Sequence, residues 1–354
     1  MRILVKGGSS AGAVSNRIIY LDALRVVSVF AVMVIHLAAT GYKEAASQSY
    51  EWMICLTYNT ITRFAVPVFV MISGAMFLNP EREITPAHLL KRVCKLMMVF
   101  FFWSFVYALA ESLEGHRLFS ADYFLSVVKK TVTGHYHMWY VYMISVLYLA
   151  TPFLRPIAAD RKLLQLFILM AFLLNHGIRI FLMIPGAEDV AGSILNNADI
   201  GIFSGYTGYY CLGYYLHSGE FSKKQVGKLF IVSTVLLAAV IAGGILLDRP
   251  NLVFSEKMPH IFLYSISIFL LFKIREERLQ NARLIQTVVG SIAPCTFGMY
   301  LVHPMFNFIF RRAGLYALSF DPLICVPLSS LMVFVASFAV IFCMRKVPIL
   351  KRFA

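Results

Sequence analysis

The stretch Ile18-Ile-Tyr-Leu-Asp-Ala-Leu-Arg-Val-Val-Ser-Val-Phe-Ala-Val-Met-Val-Ile-His-Leu-Ala38 decides the fold. It is long and apolar enough for one helix to cross a hydrocarbon core, which takes about 20 residues. Yet it carries Arg25 and His36. At roughly 100° per residue, eleven steps return to within about 20° of the starting direction, so the two side chains share a face about 16 Å apart along the axis. Ionisable side chains are costly in lipid and turn toward a bundle interior or a wet cavity. Two on one face point to a polar path through the membrane.

The rest of the chain has the same character. Hydrophobic residues make up 59% of the 354 and charged ones only 14%, and the mean hydropathy is +0.74. Those values lie outside the range of soluble domains. The expected fold is an all-α polytopic bundle of about ten transmembrane helices: Ile19 to Gly41, Leu56 to Leu78, Val93 to Ala110, Met138 to Phe153, Leu163 to Ile184, Ile200 to Leu216, Lys228 to Leu247, His260 to Phe272, Val288 to Phe310 and Leu323 to Met344. The fourth, sixth and eighth are short for full spans. Residues 1–16 read as a polar, Gly/Ser-rich tail, and 17–354 as one integral domain with no separate soluble part. The six cysteines are scattered singly, without metal-ligand spacing, and no metal is expected.

The net charge of +14 raises nucleic acid as a partner, but the basic residues sit mainly in short loops between spans. Twenty-one fall in one alternate set of loops and eight in the other, which puts both termini in the cytoplasm. The partners expected are therefore membrane lipids and not nucleic acid. Arg25 then lies toward the inner side and His36 toward the outer. Arg92 and Lys95 fall at the inner start of the third helix, while Arg63, His137, Trp139, Tyr300 and His303 belong to the outer half.

Arg92 and Lys95 are three apart and share a helix face. With Arg25 they can hold a phosphorylated ligand, since guanidinium groups bind phosphate oxygens in pairs. Positive-inside topology and snorkelling to lipid headgroups are the other reading of the same residues. Asp22, three residues before Arg25, can instead neutralise it. His36 can act as a base near neutral pH, or be a structural histidine bonded to a neighbouring helix. His137 and His303 can serve a ligand or be interfacial amphipathic residues. Arg63, just before Val-Pro-Val-Phe-Val-Met-Ile-Ser-Gly74, can orient an acceptor or steady a developing oxyanion. No Walker loop, nucleophile elbow or zinc motif occurs, and no acid lies well inside a span, as proton-coupled transport commonly requires.

Arg25, ten residues, His36, preceded by Tyr20-Leu-Asp-Ala-Leu, resembles the first-helix signature of the acyltransferase-3 family of integral membrane acyltransferases. Arg63 to Gly74, Lys91-Arg-Val-Cys-Lys95, Tyr136-His-Met-Trp-Tyr140, Leu147 to Arg155, Leu212-Gly-Tyr-Tyr215 and Thr296-Phe-Gly-Met-Tyr-Leu-Val-His-Pro304 follow in the same order. The layout is particularly similar to the enterobacterial-common-antigen O-acetyltransferase branch. The resemblance implies an enzyme of the bacterial inner membrane that moves acetyl from cytoplasmic acetyl-CoA to a hydroxyl of a surface glycan or its lipid-linked precursor. It implies His36 as the catalytic residue and Arg25 as its paired first-helix arginine; with these roles, Arg25, Arg92 and Lys95 are the expected donor site and Arg63, His137, Trp139, Tyr300 and His303 the expected acceptor site. The family's third-helix Arg-Xaa-Xaa-Arg is Arg92-Val-Cys-Lys95 here, which keeps the charge and loses one bidentate fork. The competing expectation is a permease or flippase that uses the polar seam as its path.

Overall fold

The structure is a computed structural model that describes residues 17–113, 120–181, 193, 203, 205–250 and 253–354; the expected tail, 1–16, lies outside them. Among the described residues the chain is helical, with no strand. Seven segments are long and apolar enough to cross a membrane: Ile19–Glu44, Tyr50–Phe77, Pro86–Ser112, Trp139–Ala159, Lys223–Leu246, Arg283–Arg312 and Pro322–Met344. The other three expected spans coincide with shorter helices, Arg161–Phe172, Thr207–Ser218 and Pro259–Lys273. The far end of the expected Leu163 to Ile184 span and the start of Ile200 to Leu216 lie outside the described residues.

In chain order the helices are α1 (Ile19–Glu44), α2 (Tyr50–Ile61), α3 (Ala65–Phe77), α4 (Pro86–Leu113), α5 (Ala121–Thr133), α6 (Trp139–Ala159), α7 (Arg161–Phe172), α8 (Ile178–Phe181), α9 (Thr207–Ser218), α10 (Lys223–Leu246), α11 (Pro259–Lys273), α12 (Glu276–Asn281), α13 (Arg283–Ile292), α14 (Thr296–Arg312) and α15 (Pro322–Lys346). Side-chain caps start several of them: Ser49 on α2, Ser120 on α5, Asp160 on α7 and Asp321 on α15, while Ser222 and Gln225 form a reciprocal capping box on α10.

Four expected elements are corrected. The second span is two helices, because Pro67 has no N–H for the carbonyl of Arg63 and α3 starts afresh after the turn at 62–64. That break delivers Arg63 to the bundle interior. The ninth is broken at Pro294, between α13 and α14. The third begins at Pro86, so Arg92 and Lys95 lie within α4 and not at its start. The fourth runs 21 residues in spite of Pro152 and Pro156, and is not short. An amphipathic helix that periodicity had not singled out, α5, presents Phe124, Leu125, Val128 and Val132 outward.

Helix α1 is the centre of the packing: 16 of its 26 residues are buried, and it touches α2, α3, α11, α13, α14 and α15. Helix α10 buries only five of 24 and shows Ile231, Val232 and Val235 to the outside, the surface expected toward lipid. The tightest crossing joins α3 to α9. A Cβ on Gly74 would fall 1.8 Å from the Tyr210 carbonyl oxygen, and one on Gly213 1.9 Å from that of Met71. Only glycine lets two helix backbones approach so closely.

Candidate active site

Because α1 is buried along its length, its polar face can open only into space that the other helices leave beside it. A larger and a smaller space of this kind adjoin beside that face among the described residues. The larger, about 460 Å³, is lined by Arg25 of α1, Arg92 and Lys95 of α4, and Arg345 of α15. A neighbouring lobe of about 360 Å³ adds Arg17 and Arg82, and shares Arg25 and Met76 with the first. The smaller cavity, about 80 Å³, is lined by His36, Arg63, His137, Trp139 and Glu256. Both the larger and the smaller are bounded by Val32, Val66, Tyr140 and Tyr300, contributed by α1, α3, α6 and α14. These four form a collar between the cavities, with the Tyr140 and Tyr300 rings edge to face at 5.6 Å.

At the cationic end, buried Asp22 is shared: Arg25 Nη1 donates to its Oδ1 at 2.5 Å, and Arg17 Nε donates to its Oδ2. Arg25 therefore both pairs with Asp22 and faces the cavity. One carboxylate between two guanidinium groups leaves net positive charge. Arg92 lies over the Phe77 ring at 4.7 Å, and neither it nor Lys95 has a carboxylate partner among the described residues. Arg345 Nη1 donates to the Pro294 carbonyl at 2.9 Å, at the break between α13 and α14. Exposed, unpaired cations around a roomy cavity suit a phosphorylated ligand that arrives hydrated.

The histidine end is built by direct bonds. Arg63 Nε donates to Asn59 Oδ1 at 2.8 Å, and its Nη1 lies 3.5 Å from Glu256 Oε2. Asn59 in turn donates to the carbonyl of Ile35, the residue before His36, at 3.2 Å. Glu256 also accepts from the Tyr206 hydroxyl at 3.0 Å, and the Tyr206 ring lies 5.7 Å from that of Trp139. His137 Nε2 donates to the Leu301 carbonyl at 3.2 Å, and the Tyr300 hydroxyl donates to the His137 carbonyl. A base, a cation, an acid and an exposed indole thus converge on a volume of a few atoms, an arrangement suited to orienting a hydroxyl-bearing acceptor beside His36.

The residues expected from the sequence separate as their order implied. Arg25, Arg92 and Lys95 meet in the large cavity; His36, Arg63, His137 and Trp139 meet in the small one; Tyr300 borders both. The interfacial reading of His137 and His303 does not hold, since they are 1% and 0% exposed. His303 packs against His36, with ring centres 5.1 Å apart, and lines neither cavity. Glu256, Tyr206, Arg17, Arg82 and Arg345 are additions. Glu256 escaped notice because it stands in the loop before α11 and reaches Arg63 only through the fold.

A multi-helix membrane bundle in which a cationic cavity adjoins a histidine cavity fits the class of proteins that act on a polar ligand from within the bilayer. The acyltransferase-3 family, an acyltransferase domain, matches residues 18–345, so this chain belongs to it and is a membrane acyltransferase. No curated protein and no solved structure matches the chain. The finer likeness to the enterobacterial-common-antigen branch has no counterpart among these matches.

Proposed function

We propose that the protein is an O-acetyltransferase of the bacterial inner membrane, taking acetyl from cytoplasmic acetyl-CoA and placing it on a hydroxyl of a surface glycan or lipid-linked glycan precursor. The observation that carries this reading is the shared collar: a cationic cavity and a histidine cavity with four lining residues in common. Arg92, Lys95 and Arg25 hold the donor's phosphates, and the pantetheine arm brings the thioester to Tyr140 and Tyr300. The acceptor enters from the other side, ordered by Arg63, His137 and Trp139. His36 takes the hydroxyl proton as the new C–O bond forms, and the proton goes to the sulfur when the C–S bond breaks. No metal takes part in this scheme.

The test uses purified protein and whole cells together. Acetyl-CoA is expected to raise the thermal midpoint of the wild type, and that of Arg92→Ala only at about tenfold higher concentration. Mass analysis of surface glycans is expected to show an acetyl increment that depends on the protein and is lost in His36→Ala. Absence of any shift with CoA ligands would move the reading to a permease or flippase.

A further inference from the structure

His303 on α14 is completely buried and stands outside the lining of both cavities. Its neighbour Pro304 has no N–H, so the carbonyl of Tyr300, four residues earlier, loses its helical donor. His303 Nδ1 takes that place, 2.6 Å from the Tyr300 oxygen. A carbonyl only accepts, so Nδ1 carries the proton; in the neutral ring Nε2 is then a bare lone pair. That Nε2 is buried and has no hydrogen-bond partner. A buried acceptor without a donor costs stability, and its survival asks for a use.

Of the rings packed against His303, two are committed elsewhere and one is not. His137, 5.3 Å away, is committed at both nitrogens, through Nε2 to the Leu301 carbonyl and through Nδ1 to His135 Nδ1 at 2.8 Å. The Tyr300 hydroxyl is committed to the His137 carbonyl. His36, at 5.1 Å and inclined by 36°, has no protein hydrogen bond at either ring nitrogen among the described residues. The two rings are adjacent but unbonded in this state, and contacts of this kind tighten when substrate binds.

We propose that His303 is the positioning residue for His36. Its Nε2 accepts the N–H on one side of the His36 ring, which leaves the other nitrogen of His36 as a lone pair directed at the acceptor. Pro304 sets the chain of tautomers: it frees the Tyr300 carbonyl, the carbonyl orients His303, and His303 orients His36. The inference rests on His36 being the base. The proton leaves the acceptor oxygen for His36 as the C–O bond forms, and passes to the thiolate as the C–S bond breaks. His303 accepts a hydrogen bond throughout and keeps its own proton.

The experiment compares His303→Leu, His303→Gln and His36→Ala in detergent-purified protein, with acetyl-CoA as donor and extracted surface glycan as acceptor. Leucine removes the Nε2 acceptor together with the Nδ1 donor to the Tyr300 carbonyl, so His303→Leu is expected to lower the thermal midpoint modestly while kcat falls about 10- to 100-fold at unchanged KM for acetyl-CoA, the range for outer partners of working histidines. Glutamine restores an acceptor oxygen and is expected to recover most of kcat. Wild-type kcat in His303→Leu overturns the proposal. So does a parallel fall of kcat and thermal midpoint with no recovery in His303→Gln, since that is the mark of packing alone. An active His36→Ala would sink the base itself, whereas an inactive His36→Ala beside an active His303→Leu sinks only the positioning role.

Discussion

The cationic cavity and the histidine cavity share four lining residues, yet they are built in opposite ways. In the first, Arg92 and Lys95 are exposed and without carboxylate partners, in a space of about 460 Å³. In the second, Arg63 is fixed by Asn59 and Glu256 and His137 by the Leu301 carbonyl, around about 80 Å³. Long free cations recruit an anion by charge and tolerate variety in its pose. Fixed groups in a small volume select one geometry, which chemistry needs and recruitment does not. In the proposed scheme, donor capture and acceptor orientation are separated along one helix, α1.

The largest effect that would break this division is at the base. His36→Ala is expected to lower transfer about 10³-fold, within the range of general-base catalysis, with the acetyl-CoA thermal shift intact. If the shift vanished with activity, the two cavities would not be separable. Next is the collar: Val32→Phe enlarges a side chain that lines both cavities, and is expected to cost about 100-fold in kcat through displacement of the thioester, again with donor binding retained. Equal losses of binding and turnover would place the donor elsewhere.

Smaller effects sharpen the contrast. Arg92→Ala and Lys95→Ala are each expected to raise KM for acetyl-CoA about tenfold with kcat nearly unchanged, since each removes one charge-assisted contact of about 1.5 kcal/mol. Arg63→Lys keeps the charge and loses the fork that reaches both Asn59 and Glu256. It is expected to raise the acceptor KM by about fivefold and leave the donor KM alone. A change in donor KM would show that the fixed end also holds the donor.

Much of this site was legible in the sequence because charge in lipid is costly. Arg25 and His36 stand out in a run that tolerates few such residues, and eleven positions of spacing put them on one face. Loop charge then ordered the remaining cations and histidines along the axis. The helix breaks at 62–64 and at Pro294 were less legible, because apolar runs continue through them and hydropathy does not register a missing N–H. The burial of His137 and His303 stayed open for a related reason: an imidazole beside tryptophan and tyrosine looks interfacial until the partners of its nitrogens are known.

Motif resemblance carried the family; by itself the pattern of the sequence determined the membrane setting, the helical class and the common face of Arg25 and His36. These follow from periodicity and from the cost of ionisable groups in hydrocarbon, both local properties of the chain. The tertiary structure alone decided that Asp22 serves Arg17 as well as Arg25, that Glu256 reaches Arg63 from a distant loop, and that Tyr140 and Tyr300 divide two cavities. It also decided that His303 turns an unpartnered nitrogen inward beside His36. Such pairings depend on directions and distances between helices, to which residue order within any one helix is blind.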